Sequence, residues 1–479
     1  MKKFFKILGV CVVLLAMFLA AYVYLGSLDA AHPDVPDIGS SLGKVPDEEN
    51  WYMAFVSLAK FVSLDTTEST FVEAAAKNLR GEWWRGTSVS SRPKALKKLD
   101  AILARHSELF AKLQKEEQRT VWRTVFDEPD RPAPFLSDLV EKNILALYAL
   151  KIQRAFDQGE FMFALADLRT YCQICLALAQ GADKVETCVR ALECREHLMR
   201  HVLAFASQMD KDQLKQVQQI LENQVELFPM LFPQAYAHEV TRPEYFVECL
   251  LEDLGRQLQT EKLTVALEPM AHQLRVAPKE LMKTMGRLPF VWTFSYHRNR
   301  VLAAYYEDAV KTYGLLVQGR YKPYLQLLSL RGAREWKSVF GSALLPNWIG
   351  KSLGTVIKGK NAALCKHAAY ARFALDAERV VVAAHRYRLD KGGVFPDNLQ
   401  ALVPDYLAAV PKDPFGEGPL GFNAAQQTFH SVGESGAFNG VIPKEGLSGL
   451  FYTDPNNVRH RYTPYLRRLD GTPLETEEP

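Results

Sequence analysis

The chain has 479 residues, of which 48% are hydrophobic and 24% charged, with a formal net charge of +3. These proportions are those of a globular protein and exclude whole-chain disorder, collagen-like repeats and a disulfide-dense mini-protein. The charge balance does not point to nucleic acid as the main partner, and a mean hydropathy of −0.13 with a single long uncharged run argues against a polytopic membrane protein.

The first predicted element is a transmembrane helix. No charged side chain occurs between Lys6 and Asp29, and residues 7–26 read ILGVCVVLLAMFLAAYVYLG. Twenty helical residues span about 30 Å, the thickness of a hydrocarbon core. Lys2, Lys3 and Lys6 precede the run, whereas Asp29, Asp34, Asp37, Asp47, Glu48 and Glu49 follow it. The positive-inside rule then leaves residue 1 in the cytoplasm and the body outside it. The expectation is a single-pass protein of the bacterial inner membrane, anchored by residues 7–26, with its body in the periplasm. A cleaved signal peptide is the rival reading. Its apolar region is normally about 7–15 residues, and the best cleavage position here, Leu28-Asp29-Ala30, has a poor first residue.

Residues 28–49 hold Pro33, Pro36, Pro46, Gly39 and Gly43 with little periodicity and read as a linker. Trp51 to Val62 then opens a helical body. Within 92–116, Leu96, Leu99, Leu103, Phe110 and Leu113 keep one face of a 3.6-residue helix. Further helices are expected near 137–157, 159–180, 184–207, 211–227, 243–260 and 297–317. Gly181 and Asp183 divide the 159–180 and 184–207 segments into a hairpin of antiparallel helices. The 318–358 stretch is less periodic and reads as mixed.

A strong helix is predicted over 361–388, ended by Lys391-Gly392-Gly393, whose glycines suit a left-handed cap. Short strands are expected at Leu420–Asn423 and Thr428–Val432. The fold class is therefore mainly α: an anchor at 1–27, the linker at 28–49, a multi-helix body over 50–358, a small α+β unit over 359–435, and an irregular tail over 436–479.

The α+β unit carries a recognisable pattern. Tyr387 ends the helix; Gly393 and Pro396 follow, then Leu399, Leu402, Pro404, Tyr406, Pro411, Asp413, Pro414 and Phe415, and finally Phe429 and Gly433. Over 361–435 this resembles the soluble half of the G-type pseudopilins of type II secretion. The whole chain resembles a set of bacterial envelope proteins that carry this tail. The resemblance implies a structural role for these residues, since the prolines fix φ and the leucines and Phe415 would pin the loop to the helix. The family's prepilin-peptidase site is missing, because residues 1–26 contain no acid. Its calcium loop is matched by 432–440, where Glu434 is the lone carboxylate and too few for a site wanting six to eight oxygens.

Cys172, Cys175, Cys188 and Cys194 cluster in sequence. Reflecting the 159–207 hairpin about Gly181–Ala182 sets Cys175 opposite Cys188, a candidate disulfide in an oxidising compartment; buried unpaired thiols are the competing reading. Cys194, His197 and His201 share a helix face but lack a fourth metal ligand. Glu378 and His385 lie on an apolar stripe, and Glu378 is expected to pair with an arginine from elsewhere in the body. Arg459, Arg461, Arg467 and Arg468 interleave with Tyr462 and Tyr465 in what reads as a solvated tail. No nucleophile elbow, zinc-protease or P-loop motif occurs. The residues thus nominate no catalytic group, cofactor or metal. They point to an interaction scaffold of the cell envelope with a protein partner. The alternatives are an envelope hydrolase acting on cell-wall or polysaccharide material and a secretion accessory that docks pseudopilins.

Overall fold

The computed structural model describes residues 49–77, 92–116, 119, 138–182, 185–240, 297–321, 348–433, 451–453, 459–461 and 466–470, with Met17, Ala20, Tyr24, Leu28, Ala30, Ala31, Pro33 and Asp34. Among these the structure is mainly helical. The helices are α1 (Trp51–Leu58), α2 (Thr66–Lys77), α3 (Arg92–Arg105), α4 (Ser107–Lys115), α5 (Asp138–Asp157), α6 (Phe161–Gln180), α7 (Val185–Ala204), α8 (Lys211–Val240), α9 (Arg298–Val317) and α10 (Trp348–Asp390). The strands are β1 (Gly421–Asn423), β2 (Thr428–His430), β3 (Phe451–Thr453), β4 (Arg459–Arg461) and β5 (Leu466–Arg468). Apart from Met17, Ala20 and Tyr24, the 7–26 run lies outside the described residues, as do the helix expected at 243–260 and Glu434 of the 432–440 loop. Among the described helices α6 is long and apolar enough to cross a membrane, and 67% of that window is buried inside the protein, as a core helix is.

By its contacts the chain divides into two compact units. The first comprises 1–40, 240–315 and 323–365; the second comprises 41–239, 316–322 and 366–479. Helix α10 contributes 348–365 to the first and 366–390 to the second. Within the first unit, Asp308 on α9 accepts from Asn361 Nδ2 on α10 at 2.7 Å, and Asn299 Nδ2 donates to the Ala30 carbonyl at 2.7 Å.

The second unit holds a core in which α5, α6 and α7 pack side by side, with Tyr148, Phe156, Leu168, Tyr171, Ile174 and Leu198 almost fully buried. Its periphery is fixed by polar links of long sequence range. Arg154 on α5 grips Asp100 on α3 with two bonds of 2.7 and 3.0 Å. Buried Asp167 on α6 receives Lys151 Nζ, Tyr148 Oη and Gln114 Nε2 at 2.6, 3.1 and 2.6 Å.

Three helices differ from the expected spans. The 92–116 segment breaks at His106, whose Nδ1 lies 2.8 Å from the Ile102 carbonyl while Nε2 accepts from Ser63 N at 3.2 Å. The helix expected to end at 227 runs on to Val240 through Pro229 and Pro233. A helix-interior proline costs about 3 kcal/mol. Burial of Phe228, Leu231, Phe232, Ala235 and Tyr236 beyond that point offsets it. Helix α10 begins at Trp348 rather than 361 because extending an existing hydrogen-bonded ladder needs no new nucleation, so Gly350, Gly354 and Gly359 are tolerated.

After α10 the chain is held by local turn chemistry. Gly392 and Gly393 have φ of +69° and +95°, and Gly393 N returns to the Arg388 carbonyl at 2.8 Å, closing the helix. The Asn398 side chain accepts from Ala401 N at 3.0 Å and caps the 3₁₀ turn Leu399–Leu402. Strand β1 pairs antiparallel with β2, and β2 with β5 in the register Phe429↔Arg467. The segment read as an irregular tail therefore supplies the third strand of this sheet, and β3 and β4 pair with each other.

Candidate functional site

Among the described residues of the second unit, a set of buried charges forms where α7, α10 and β5 meet. On α7 the apolar stripe Cys188, Ala191, Leu192, Leu198, Met199, Val202 is interrupted by Arg195, which the same 3.6-residue period carries inward. Glu196 is the next residue, and Arg200 lies one turn further on. On α10, Tyr370, Ala374, Ala377, Glu378 and Val381 share a face, and two alanines there leave room for guanidinium groups.

Arg195 and Glu378 form a forked ion pair. Nη1 donates to Oε1 at 3.2 Å and Nη2 to Oε2, with side-chain exposures of 3% and 5%. Arg195 Nε donates to Gln224 Oε1 on α8. Beside this pair, Glu196 Oε1 receives Arg200 Nη2 and lies 3.5 Å from Arg467 Nη2 of β5. Tyr370 Oη accepts from Arg200 at 2.6 Å and from Arg467 at 3.3 Å, and its O–H donates to Glu196 at 3.0 Å. One phenol thus ties three elements together.

The two carboxylates are pushed apart. Burial raises Glu378 above the ordinary range, against the pull of Arg195. Burial acts on Glu196 in the same sense, but Arg200 and Arg467 outweigh it and the net displacement is downward. Divergent carboxylates of this kind can mark an acid and a base. Here each is already engaged by a guanidinium from another turn or element. The cavity they line, with Arg200, Leu203, Ala374, Ala377, Val381, Arg467 and Arg468, measures about 40 Å³. That is room for about three waters, against roughly 300–1,000 Å³ for a site that encloses an organic ligand.

The thiols sit next to this network. Burial pushes Cys172 up to about 12 and Cys194 up to about 11, and it raises Cys175 and Cys188 as well. Cys175 and Cys188 are both free thiols in the structure, as are Cys172, Cys194 and Cys365. The neighbours whose charge acts on Cys175 are Cys194, Cys172 and, in the opposite sense, Arg195, and Tyr171 hydrogen-bonds to it. Thiols this hard to ionise are poor nucleophiles and poor metal ligands. His201, aligned with Cys194 and His197 in the sequence, stacks edge-on against Phe205 at 5.2 Å and lies 3.6 Å from Asp157. Among the described residues no group of three or more His, Cys, Asp or Glu is placed to hold a metal ion.

The motif residues after α10 are brought together. Tyr387 meets Tyr406 edge-on at 5.6 Å, and Tyr406 Oη is 3.0 Å from Asp390. Leu399, Leu402, Leu407, Phe415 and Phe429 are buried. Pro396 and Pro411 are buried, Pro414 is half-buried and Pro404 is exposed, with a cis peptide before it. Asp413 is the hub: its carboxylate accepts from Phe415 N at 2.9 Å, Ser431 Oγ at 2.6 Å and Val432 N at 2.7 Å, and Ser431 Oγ accepts from Gly433 N at 3.1 Å. These residues build a loop and present no reactive group.

Sequence reasoning anticipated an arginine partner for Glu378 without naming it. It missed Arg195, Glu196, Arg200 and the placement of Arg467 and Arg468. The available signal was Arg195 itself, a charged residue exactly in phase with an apolar stripe. No family model, curated protein or solved structure matches the chain.

Proposed function

We propose that this chain is a single-pass, membrane-anchored protein of the bacterial envelope whose periplasmic part is an interaction scaffold, with a pseudopilin-like segment over 361–435. The observation that supports this reading most is how Asp413 is spent. Its carboxylate serves Phe415, Ser431 and Val432 and is buried, so the P-x-D-P-F motif is committed to holding a loop against its neighbours rather than to chemistry. The engaged carboxylates Glu196 and Glu378 support the same conclusion, since neither faces a cavity that accommodates a sugar ring. The anchor reading rests on the uncharged run 7–26 and the charge asymmetry about it.

Fractionation and site-directed photocrosslinking test both halves. The full chain is expected in the inner-membrane fraction, with its body cleaved by protease only after the outer membrane is opened. A photoreactive residue at Phe163, which is 74% exposed, should give a discrete adduct with one envelope protein in intact cells. Recovery of the intact chain in the soluble cytoplasmic fraction overturns the reading. So does turnover of a cell-wall polymer that is lost in Glu378→Gln.

A further inference from the structure

We propose that the outward face of α3 lies against an anionic phospholipid surface, a second membrane contact besides the anchor at 7–26. The proposal rests on the anchor reading. Lys94, Lys97, Lys98, Ala101 and Arg105 are all exposed. At 3.6 residues per turn they fall within an arc of about 100°. Opposite them Leu99 and Ile102 are buried, so packing fixes which side of the helix meets solvent. The acid of α3, Asp100, lies outside the arc, and both its oxygens are held by Arg154. Arg105 pairs with Glu68 at 2.6 Å, and Lys98 Nζ stands 4.9 Å from the centre of the Phe71 ring. Among the described residues no carboxylate pairs with Lys94, Lys97 or Lys98. Three lysine charges therefore stand on one rigid stripe without an anionic partner.

Such a stripe complements a surface of negative headgroups. Each lysine near an anionic bilayer favours the docked state about fivefold, and three together on the order of a hundredfold. Alone that is weak binding, but the anchor makes docking an intramolecular step. Residues 28–49 reach at most about 75 Å from the bilayer. Beyond them α3 is tied to the chain just after α1: Arg105 Nη2 donates to the Ser63 carbonyl at 3.3 Å, and Ser63 N donates to His106 Nε2 at 3.2 Å. The bilayer is thus always within reach of the stripe. Protein interfaces are depleted in lysine and centre on buried aromatic anchors. This stripe sets lysines around an alanine and carries no large apolar side chain, which favours lipid over an acidic protein.

The test uses the full-length chain reconstituted into lipid nanodiscs of phosphatidylcholine alone or of phosphatidylcholine with phosphatidylglycerol. A donor dye is attached through an azido side chain at Ala101, and the acceptor is carried on the lipid headgroups. Energy transfer is expected to be higher in the anionic discs and to fall to the neutral-disc value at about 1 M salt, where the screening length is about 3 Å. Lys94→Gln with Lys97→Gln should weaken docking on the order of thirtyfold, and adding Lys98→Gln on the order of a hundredfold. Lys215→Gln with Lys412→Gln, at exposed lysines elsewhere, should leave it unchanged. Circular dichroism reports which variants are folded, and either stripe variant suffices. A chain that incorporates into neither kind of disc overturns the anchor reading, and this proposal with it. A chain that incorporates into both yet gives equal transfer, or undiminished transfer in the stripe variants, overturns this proposal alone. So does a photoreactive side chain at Ala101 that joins a protein rather than phospholipid in native membranes.

Discussion

Arg195 and Glu378, 183 positions apart, meet through both guanidinium Nη groups and both carboxylate oxygens with almost no exposure to solvent. Burial of a single member would be prohibitive, because an isolated ion in a low-dielectric interior costs several kcal/mol. The pair therefore welds α7 to α10, and Gln224 on α8 takes a third bond, from Arg195 Nε.

Breaking that pair on one side should be far worse than replacing it. Arg195→Met or Glu378→Leu alone is expected to cost about 3–5 kcal/mol, and the double variant much less than the sum. Urea unfolding of the four proteins gives the coupling energy. Additive losses would show that the two side chains do not act as a unit.

Asp413→Ala removes an acceptor from Phe415 N, Val432 N and Ser431 Oγ at once. Each buried donor left without a partner costs about 1–3 kcal/mol, so local stability should fall by roughly 3 kcal/mol or more. Hydrogen exchange at the amides of 415 and 432 should accelerate on the order of a hundredfold, while α6 keeps its protection. Ser431→Ala is expected to be milder, since Phe415 N and Val432 N keep Asp413 as acceptor and Gly433 N alone loses its acceptor.

His385 gives a directional pH dependence. Its Nε2–H donates to the Asp470 carbonyl at 3.1 Å, and its ring packs edge-on against Phe395 at 5.3 Å. Burial lowers its folded-state value below the ordinary 6.5, with the Asp470 carbonyl acting the other way. The unfolded chain therefore takes up the proton first, and stability is lost as pH falls through 6.5 toward the folded value. His430 is lowered by burial in the same sense. Urea midpoints measured from pH 7.5 to 5.5 should decline, and His385→Gln should flatten the slope by at most about 1.4 kcal/mol per pH unit. An unchanged slope in that variant would assign the decline to other groups.

The thiols should be silent in the folded protein. With Cys172 at about 12 and Cys194 at about 11, the thiolate fraction at pH 8 is on the order of one in a thousand or less. Iodoacetamide at pH 8 is expected to leave Cys172, Cys175 and Cys188 unmodified until the chain is unfolded, with the less buried Cys194 modified before them. Mass spectrometry of the 165–200 peptides reads the order. A non-reducing digest that joins Cys175 to Cys188 would show that the bridge forms in the cell.

What the sequence determined by itself is local. Leu96, Leu99 and Leu103 mark a helix because 3.6-residue spacing is a property of one chain segment, and the Lys391-Gly392-Gly393 stop works through the φ of the glycines themselves. The residues that bury around Leu399, Leu402 and Phe415 were legible for the same reason, since prolines and an Asp-Pro turn confine the backbone within a few positions. Tertiary structure decided everything that requires two distant segments to coincide. It selected Arg195 as the partner of Glu378, drew Arg467 and Arg468 onto a sheet, and set Cys194 rather than Cys188 beside Cys175. No periodicity encodes these outcomes. A charge may be buried wherever its complement arrives, and which complement arrives depends on how the helix faces pack.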